Sequence, residues 1–314
     1  MKNIIKIKKG QVFTIIAIFL IVLSFLSFEF FAFLQENKSV KTRVATMDSF
    51  LSSVEENLER QIYISGFRIL FLAESEIVST GNYISDIDAF FQEAFFNGTV
   101  NGVGNNSILL GATYPDLIDS LNDKAININV NITLGNSKLY VNQSDPWNLN
   151  ITLVSDFLMT DKGDLARWEK VQIISTLIPV TFFEDPVFTI NSLARVSRKV
   201  NKTIYEGNYV VGSDVSNLED HVAKGYYSEN TDAPSFLKRF EGDLSPDPNG
   251  IESFVNIPEF SAQGITTYSK TIVDYIYFSA SNPTHYGVTG MPSWFRIDSD
   301  GDHFAKYNVT GLTY

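Results

Sequence analysis

The feature that most constrains this chain is an uncharged apolar run near its N-terminus. No charged residue occurs in the 17 residues from Val12 to Phe28, and only Glu29 interrupts the run before Leu34. A membrane-spanning helix needs about 20 mostly apolar residues, so residues 11–34 are long enough to cross a bilayer. We expect the anchoring side chains to include Val12, Phe13, Ile15, Phe19, Phe25 and Phe28.

The distribution of charge predicts how the chain is oriented in the membrane. The first ten residues hold four lysines and no acid, whereas the whole chain has a formal net charge of −12. Lysines concentrate on the cytoplasmic side of a membrane helix, so we expect a cytoplasmic N-terminus and an extracellular body. An acidic body disfavours nucleic acid as a partner. The absence of cysteine excludes disulfides and thiolate metal sites.

The junction Lys8-Lys9-Gly10-Gln11 before the apolar run resembles the class III, prepilin-type signal of archaeal type IV pilins. An ordinary secretory signal has a shorter apolar core of about 7–15 residues and a small-residue cleavage site. The resemblance implies that residues 1–10 are a cytoplasmic leader and that a prepilin-type peptidase cleaves between Gly10 and Gln11. The apolar helix would then remain attached. A single-pass anchor that is never processed is the alternative.

One position departs from the pattern of that family. Pilins usually carry a glutamate at the fifth mature position, where it pairs with the N-terminal amine of a neighbouring subunit. The matching residue here is Ile15, and a charge in lipid is normally kept only for a function. The resemblance therefore indicates a minor or tip subunit that contacts other pilin-like subunits through its N-terminal helix.

Residues 35–79 have the pattern of an amphipathic stalk helix. No glycine or proline occurs from Gln11 to Ser65, which favours an unbroken helix. Apolar residues are spaced alternately by four and three along one seam, namely Val40, Val44, Met47, Leu51, Val54 and Leu58. This seam could pack on the protein's own head or on a partner helix, and we favour the head.

Residues 80–182 predict an α+β head with an antiparallel sheet. Helical periodicity covers residues 84–96 and a short helix is expected at 115–123. Residues 126–134 alternate as a half-buried strand, Gly135-Asn136 predicts a tight turn into a hairpin, and further strands are expected from Leu149 and over 168–183. The predicted fold class is α+β, with the long transmembrane and stalk helix packed against this sheet.

Residues 183–314 predict an extracellular region of mostly loops with some β-structure. The segment 273–278 suits either a buried strand or a helix. Three phrases, at 183–186, 233–237 and 250–253, resemble those of large archaeal pilin-like surface proteins. They carry no recognised chemistry, and turns and capping carboxylates are their alternative explanation.

Asp298, Asp300 and Asp302 alternate as in the first half of a calcium-binding loop. His303 occupies the place where that loop needs glycine, and Val309 stands where the bidentate glutamate would be. The sequence therefore suggests Ca²⁺ as the one possible cofactor, with a solvated acidic turn as the alternative.

Eight Asn-X-Ser/Thr sequons agree with an outward-facing glycoprotein, because such sites are modified only after translocation. The candidate asparagines are Asn37, Asn97, Asn105, Asn131, Asn142, Asn150, Asn201 and Asn308.

Sequence motifs of enzymes are missing from the chain. The three histidines form no spaced metal motif, and neither a Gly-x-Ser-x-Gly elbow nor a phosphate-binding glycine loop occurs. We therefore expect a structural protein and not an enzyme: a minor or tip subunit of an archaeal type IV filament with a role in adhesion. The alternative is a membrane-anchored extracellular binding module that never enters a filament.

Overall fold

The computed structural model describes residues 9–104 and 106–314. Residues 1–8, which belong to the predicted leader, and the predicted glycosylation site Asn105 lie outside them. The dominant element is helix α1, Lys9–Thr80, which runs for 72 residues without interruption. At about 1.5 Å per residue its length is roughly 110 Å. The predicted continuity of the apolar and amphipathic segments in one helix is confirmed.

The second half of α1 packs on the protein's own head, as its apolar seam predicted. Met47, Leu51, Val54 and Leu58 are all buried, with at most 8% of their surface exposed. Val44, one turn earlier, is 37% exposed. Continuous burial of the seam therefore begins at Met47.

A three-stranded antiparallel sheet forms the other layer of the head. Its strands are β3 (Val130–Asp145), β4 (Asn148–Asp161) and β5 (Arg167–Pro179), with β4 in the centre. Alternate side chains of β4 point into the core against α1, namely Leu149, Ile151, Leu153, Phe157 and Met159. The α+β class, with the long helix against an antiparallel sheet, is confirmed.

The predicted turn at Gly135-Asn136 is wrong. β3 continues through these residues, and its pairing with β4 shifts by one residue between Gly135 and Lys138. Asn136 has a positive φ of 49°, and its side-chain amide donates a 2.7 Å hydrogen bond to Asp156 on β4. A bulge can absorb one extra residue in this way without ending the strand. The chain reverses later, between Asp145 and Asn148.

Two amphipathic helices complete the first half of the head. α2 (Ile87–Asn97) and α4 (Tyr114–Ile126) confirm the two helices predicted there. Gly98 ends α2 in the left-handed conformation, and Thr113 begins α4 with a capping box to Asp116. Between the helices lie β1 (Thr99–Val100), β2 (Val103–Gly104) and α3 (Asn106–Leu109).

Residues 183–314, here called the distal region, are built from short elements. Its helices are α5 (Pro186–Asn191), α6 (Ser216–Lys224), α7 (Phe236–Glu241), α8 (Ile257–Ala262), α9 (Asp274–Tyr277) and α10 (His303–Lys306). Its strands are β6 (Ser228–Glu229), β7 (Ile251–Glu252), β8 (His285–Tyr286) and β9 (Ile297–Asp298), and a 3₁₀ turn spans Asp300–Asp302. The apolar run at 273–278 is the buried helix α9. Phe236 and Phe240 of α7 join the core beneath the sheet, so the two parts of the head are in contact.

Candidate functional site: the exposed half of the long helix and its junction with the head

The first part of α1 presents apolar side chains to its surroundings on every side. Phe13, Ile15, Phe25 and Phe28 are between 65% and 75% exposed, and Val12 and Phe19 are 42% and 63% exposed. Among the described residues α1 is the one helix that is long and apolar enough to cross a membrane. A helix that is apolar all round needs lipid or other apolar helices around it.

The predicted processing site lies at the beginning of this helix. Gly10 and Gln11 fall in the first turn of α1. Ile15 follows Gln11 by about one turn, and 65% of its surface is exposed. An apolar side chain at this position faces whatever surrounds the helix and offers no charge to a neighbouring amine.

A partly buried ion pair, with Arg43 22% exposed and Asp161 4% exposed, fixes the point at which α1 leaves the head. Arg43 donates from Nε and Nη2 to Oδ1 of Asp161, over 2.8 and 2.6 Å. Its Nη2 also donates to the carbonyl oxygens of Ile128 and Asn129. The hydrogen bonds from Arg43 hold the pKa of Asp161 below its usual value. Arg43 lies one turn before Met47, so this contact ties the exposed half of the helix to the end of the sheet.

The distal region contains a fully buried ionic cluster around Arg239. Its Nη1 lies 2.6 Å from Oδ2 of Asp185 and 2.9 Å from Oδ2 of Asp274, and none of the three side chains is exposed. The hydroxyl of Tyr227 donates to the same oxygen of Asp185 over 2.7 Å. Burial raises the pKa of Asp274, although Arg239 opposes the shift. The cluster is closed to solvent and cross-links α5, α7 and α9.

A second buried cluster surrounds His303. Its Nδ1 lies 2.9 Å from Oδ1 of Asp298, and its Nε2 lies 3.1 Å from Oε2 of Glu252. Lys306 and Tyr307 donate to the other oxygen of Glu252. Burial disfavours the charged ring, but the two carboxylates outweigh it and raise the pKa of His303 to about 10. The imidazolium is therefore the form that holds this cluster together near neutral pH.

The structure does not bring the three predicted calcium ligands together. Asp298 is fully buried in β9, where its Oδ1 accepts hydrogen bonds from His303 and from the backbone N–H of Asp300. Asp300 and Asp302 lie outside the core on the 3₁₀ turn. Within the described part of the chain no group of three His, Asp or Glu side chains is arranged to hold a metal ion. His303 stands where a calcium-binding loop would need glycine. Its ring pairs with the carboxylate of Asp298, the first of the three predicted ligands.

The described sequons lie at the surface or just beneath it. Five of their asparagines are exposed and two are half-buried: Asn37, Asn97, Asn131, Asn142 and Asn308 belong to the first group, Asn150 and Asn201 to the second. Asn142 on β3 pairs with Asn150 on β4, and both point away from α1 because their strand neighbours Val141 and Leu149 are buried.

Sequence reasoning missed the basic partners of the buried acids. The phrase at 183–186 contains Asp185, but its partner Arg239 lies two residues beyond the phrase at 233–237. Arg43 lies outside the apolar seam of α1, yet its guanidinium binds Asp161. The signal available was a charged residue inside an apolar stretch, as in Arg239 between Leu237 and Phe240.

Comparison with known proteins does not assign this chain to a family. No family model matches the chain, and neither a curated protein nor a solved structure is significantly similar to it. The function is therefore argued from the division of α1 and from the chemistry of the head.

Proposed function

We propose that this chain is a pilin-like surface structural protein, a minor or tip subunit of an archaeal type IV filament with a role in adhesion. The observation that carries the proposal is the division of one unbroken helix. The apolar half, residues 12–34, is exposed all round, whereas the half from Met47 onward is buried against an antiparallel sheet.

This division suits a subunit that moves from a membrane into a filament. Apolar surface left in water costs about 25 cal/mol per Å², so the exposed half requires a cover. Lipid supplies that cover before assembly, and the apolar helices of neighbouring pilin-like subunits supply it afterwards. Arg43 and Asp161 keep the head at a fixed place on the helix in both states.

The orientation follows from the charges at either end of the apolar segment. The lysines before Gln11 remain in the cytoplasm, where a prepilin-type peptidase acts on the Gly10–Gln11 bond, and the head is extracellular. Glycans at the exposed sequons are consistent with that side of the membrane.

A structural role is supported by the burial of the ionisable clusters. The four carboxylates, Arg239 and His303 have no exposed surface, and only Lys306, which pairs with Glu252, reaches the surface, with 15% of its side chain exposed. The clusters hold short elements of the distal region together. We therefore propose no catalytic activity for them.

A membrane-anchored binding module outside any filament is the second candidate. Ile15 favours it, since the glutamate that would pair with a neighbouring subunit's amine is replaced by an apolar residue. Under this candidate the leader is retained and the helix serves only as an anchor.

Mass spectrometry of the membrane and sheared-filament fractions tests the proposal. The expected mature chain begins at Gln11 and occurs in both fractions. Gly10→Leu should abolish cleavage and filament incorporation together, whereas Ile5→Leu, a control in the leader, should leave both unchanged. A chain that keeps Met1 in the native membrane supports the binding module. Loss of the whole apolar segment contradicts both candidates.

A further inference from the structure

The distal region contains an open cleft that neither the anchor nor the buried clusters explain. It has a volume of about 650 Å³ and lies between the end of α5, the loop after α8 and the end of α9. Ligand sites in proteins have volumes of about 300–1,000 Å³. Its size therefore suits one small molecule or one unit of a polymer.

The charge of the cleft is opposite to that of the protein. The chain has 36 acidic residues and a net charge of −12, yet among the described residues none that lines the cleft is an acid. Two cations, Arg195 and Lys270, line it instead. A concave surface lined by one sign of charge concentrates ions of the other sign, so the cleft favours an anionic ligand.

The two cations play different parts. All three hydrogen-bonding positions of Lys270 are occupied, by the carbonyl oxygens of Ile276, Tyr277 and Ser279 at 3.2, 3.2 and 2.8 Å. Its charge is fixed in place, although burial lowers its pKa. Arg195 is exposed and makes one long hydrogen bond, 3.4 Å to the carbonyl oxygen of Gln263. Most of its guanidinium donors remain free for a ligand.

The backbone that presents Arg195 is strained. Leu193 and Ala194, which precede it, have φ values of 54° and 57°, in the left-handed region that side chains other than glycine rarely adopt. Hydrogen bonds from their backbone N–H groups to Ile190 and Thr189 hold this conformation. Strain of this kind costs about 1–3 kcal/mol per residue and is concentrated at ligand-binding sites. Leu193, 73% exposed, forms part of the cleft wall.

The cleft also has an aromatic wall. Tyr268 is 61% exposed, and its ring lies 6.1 Å from that of Tyr277. Its backbone N–H donates a 2.9 Å hydrogen bond to the Tyr277 hydroxyl, which fixes its position. Asn191 and Thr266 line the same cleft, and the Nδ2 of Asn191 is held by hydrogen bonds to the Tyr83 hydroxyl and the Val187 carbonyl oxygen. A flat apolar ring beside polar side chains suits a ligand that has both ring C–H and O–H groups.

We propose that this cleft binds an acidic sugar unit, with its carboxylate on Arg195 and its ring against Tyr268. A guanidinium fork matches a carboxylate in two parallel hydrogen bonds, and Tyr268 supplies the platform that a bare anion would not need. The site lies on the part of the head farthest along the chain from the anchor. It is independent of leader processing and of filament assembly.

Ligand-observed saturation-transfer NMR tests this on the full chain in detergent micelles, with glucuronic acid as the probe. Glucuronate should receive saturation with a dissociation constant in the millimolar range. Arg195→Gln and Tyr268→Ala should each raise the dissociation constant for glucuronate at least tenfold, whereas Tyr268→Phe should leave it unchanged. Arg167→Gln is the matched control, because Arg167 is an exposed arginine on the sheet. Circular dichroism melts establish that each variant is folded.

Three outcomes would overturn the proposal. Unchanged binding by Arg195→Gln would remove the carboxylate contact. Equal saturation of glucose would show that charge plays no part. Displacement of glucuronate by an equimolar amount of inorganic phosphate would reduce the cleft to a simple anion site.

Discussion

The two parts of the head are stabilised in different ways. The helix and sheet part is held by apolar side chains, such as Met47, Ile151 and Phe157, that pack between two layers. The distal region has apolar clusters too, but it also buries Arg239 and His303 with their carboxylates. The long periodic elements are held mainly by apolar burial, with the Arg43–Asp161 pair at one end, whereas the short elements are also joined by fully buried ionic clusters.

The length of the elements explains this difference. The strands of the large sheet have 13 to 16 residues, whereas the distal strands have two and its helices four to nine. A short element contributes little apolar surface, so it gains little from burial. A buried charge must be paired, since leaving it alone costs several kcal/mol. The ionic clusters therefore specify how the distal loops are arranged.

The largest expected effect on stability follows from removing the cation of the Arg239 cluster. Arg239→Met leaves Asp185 and Asp274 buried without their cation, and we expect a loss of about 3–5 kcal/mol in the free energy of unfolding of the distal region. Urea denaturation of the full chain in detergent, followed by tryptophan fluorescence, measures this. Arg167→Met should change the value by less than about 0.5 kcal/mol. Equal stability of the two variants would show that the cluster does not stabilise the distal region.

The His303 cluster should show a smaller loss with a characteristic pH dependence. His303→Gln removes hydrogen bonds between charged groups, with an expected cost of about 2–3 kcal/mol at pH 7. The native pKa of about 10 exceeds the unfolded value of about 6.5. Between pH 6.5 and 10 the native state keeps a proton on His303 that the unfolded chain has released. The stabilisation is therefore complete below pH 6.5 and decreases as the pH rises to 10.

Thermal melts of wild type and His303→Gln from pH 6.5 to 10 measure this slope. The wild type should lose stability more steeply than the variant as the pH rises. His285→Gln, at a histidine outside the cluster, should keep the wild-type slope. Parallel curves for wild type and His303→Gln would exclude the imidazolium as the cross-link.

The smallest expected effect concerns the apolar interface between α1 and the three-stranded sheet. A Cβ on Gly66 of α1 would lie 2.6 Å from Cδ1 of Ile178 and 2.9 Å from Cγ1 of Ile151. Gly66→Val should therefore overpack the helix and sheet and cost about 1–3 kcal/mol, with no dependence on pH. Ser53→Val, at an exposed position of the same helix, is the control in a urea titration. An unchanged midpoint for Gly66→Val would show that this interface is loosely packed.

Local patterns predicted the elements of the first part well. The apolar run and the seam from Met47 to Leu58 gave α1 and the face that it buries. Alternation beginning at Leu149 gave β4, and helical periodicity over residues 84–96 gave α2. In each case the pattern and the structure depend on the same few neighbouring residues. The bulge at Gly135 was missed because a glycine followed by asparagine suits both a turn and a bulge.

The sequence by itself determined the long helix, its apolar half and the α+β class, because periodicity over neighbouring residues decides these. Only the tertiary structure decided the partners of the buried charges. Arg239 is separated from Asp185 by 54 positions and from Asp274 by 35, and His303 from Glu252 by 51. Ion pairs have no sequence period, and their members can be chosen only once the chain has folded. For the same reason Asp298, which alternates like a calcium ligand, became the partner of a histidine.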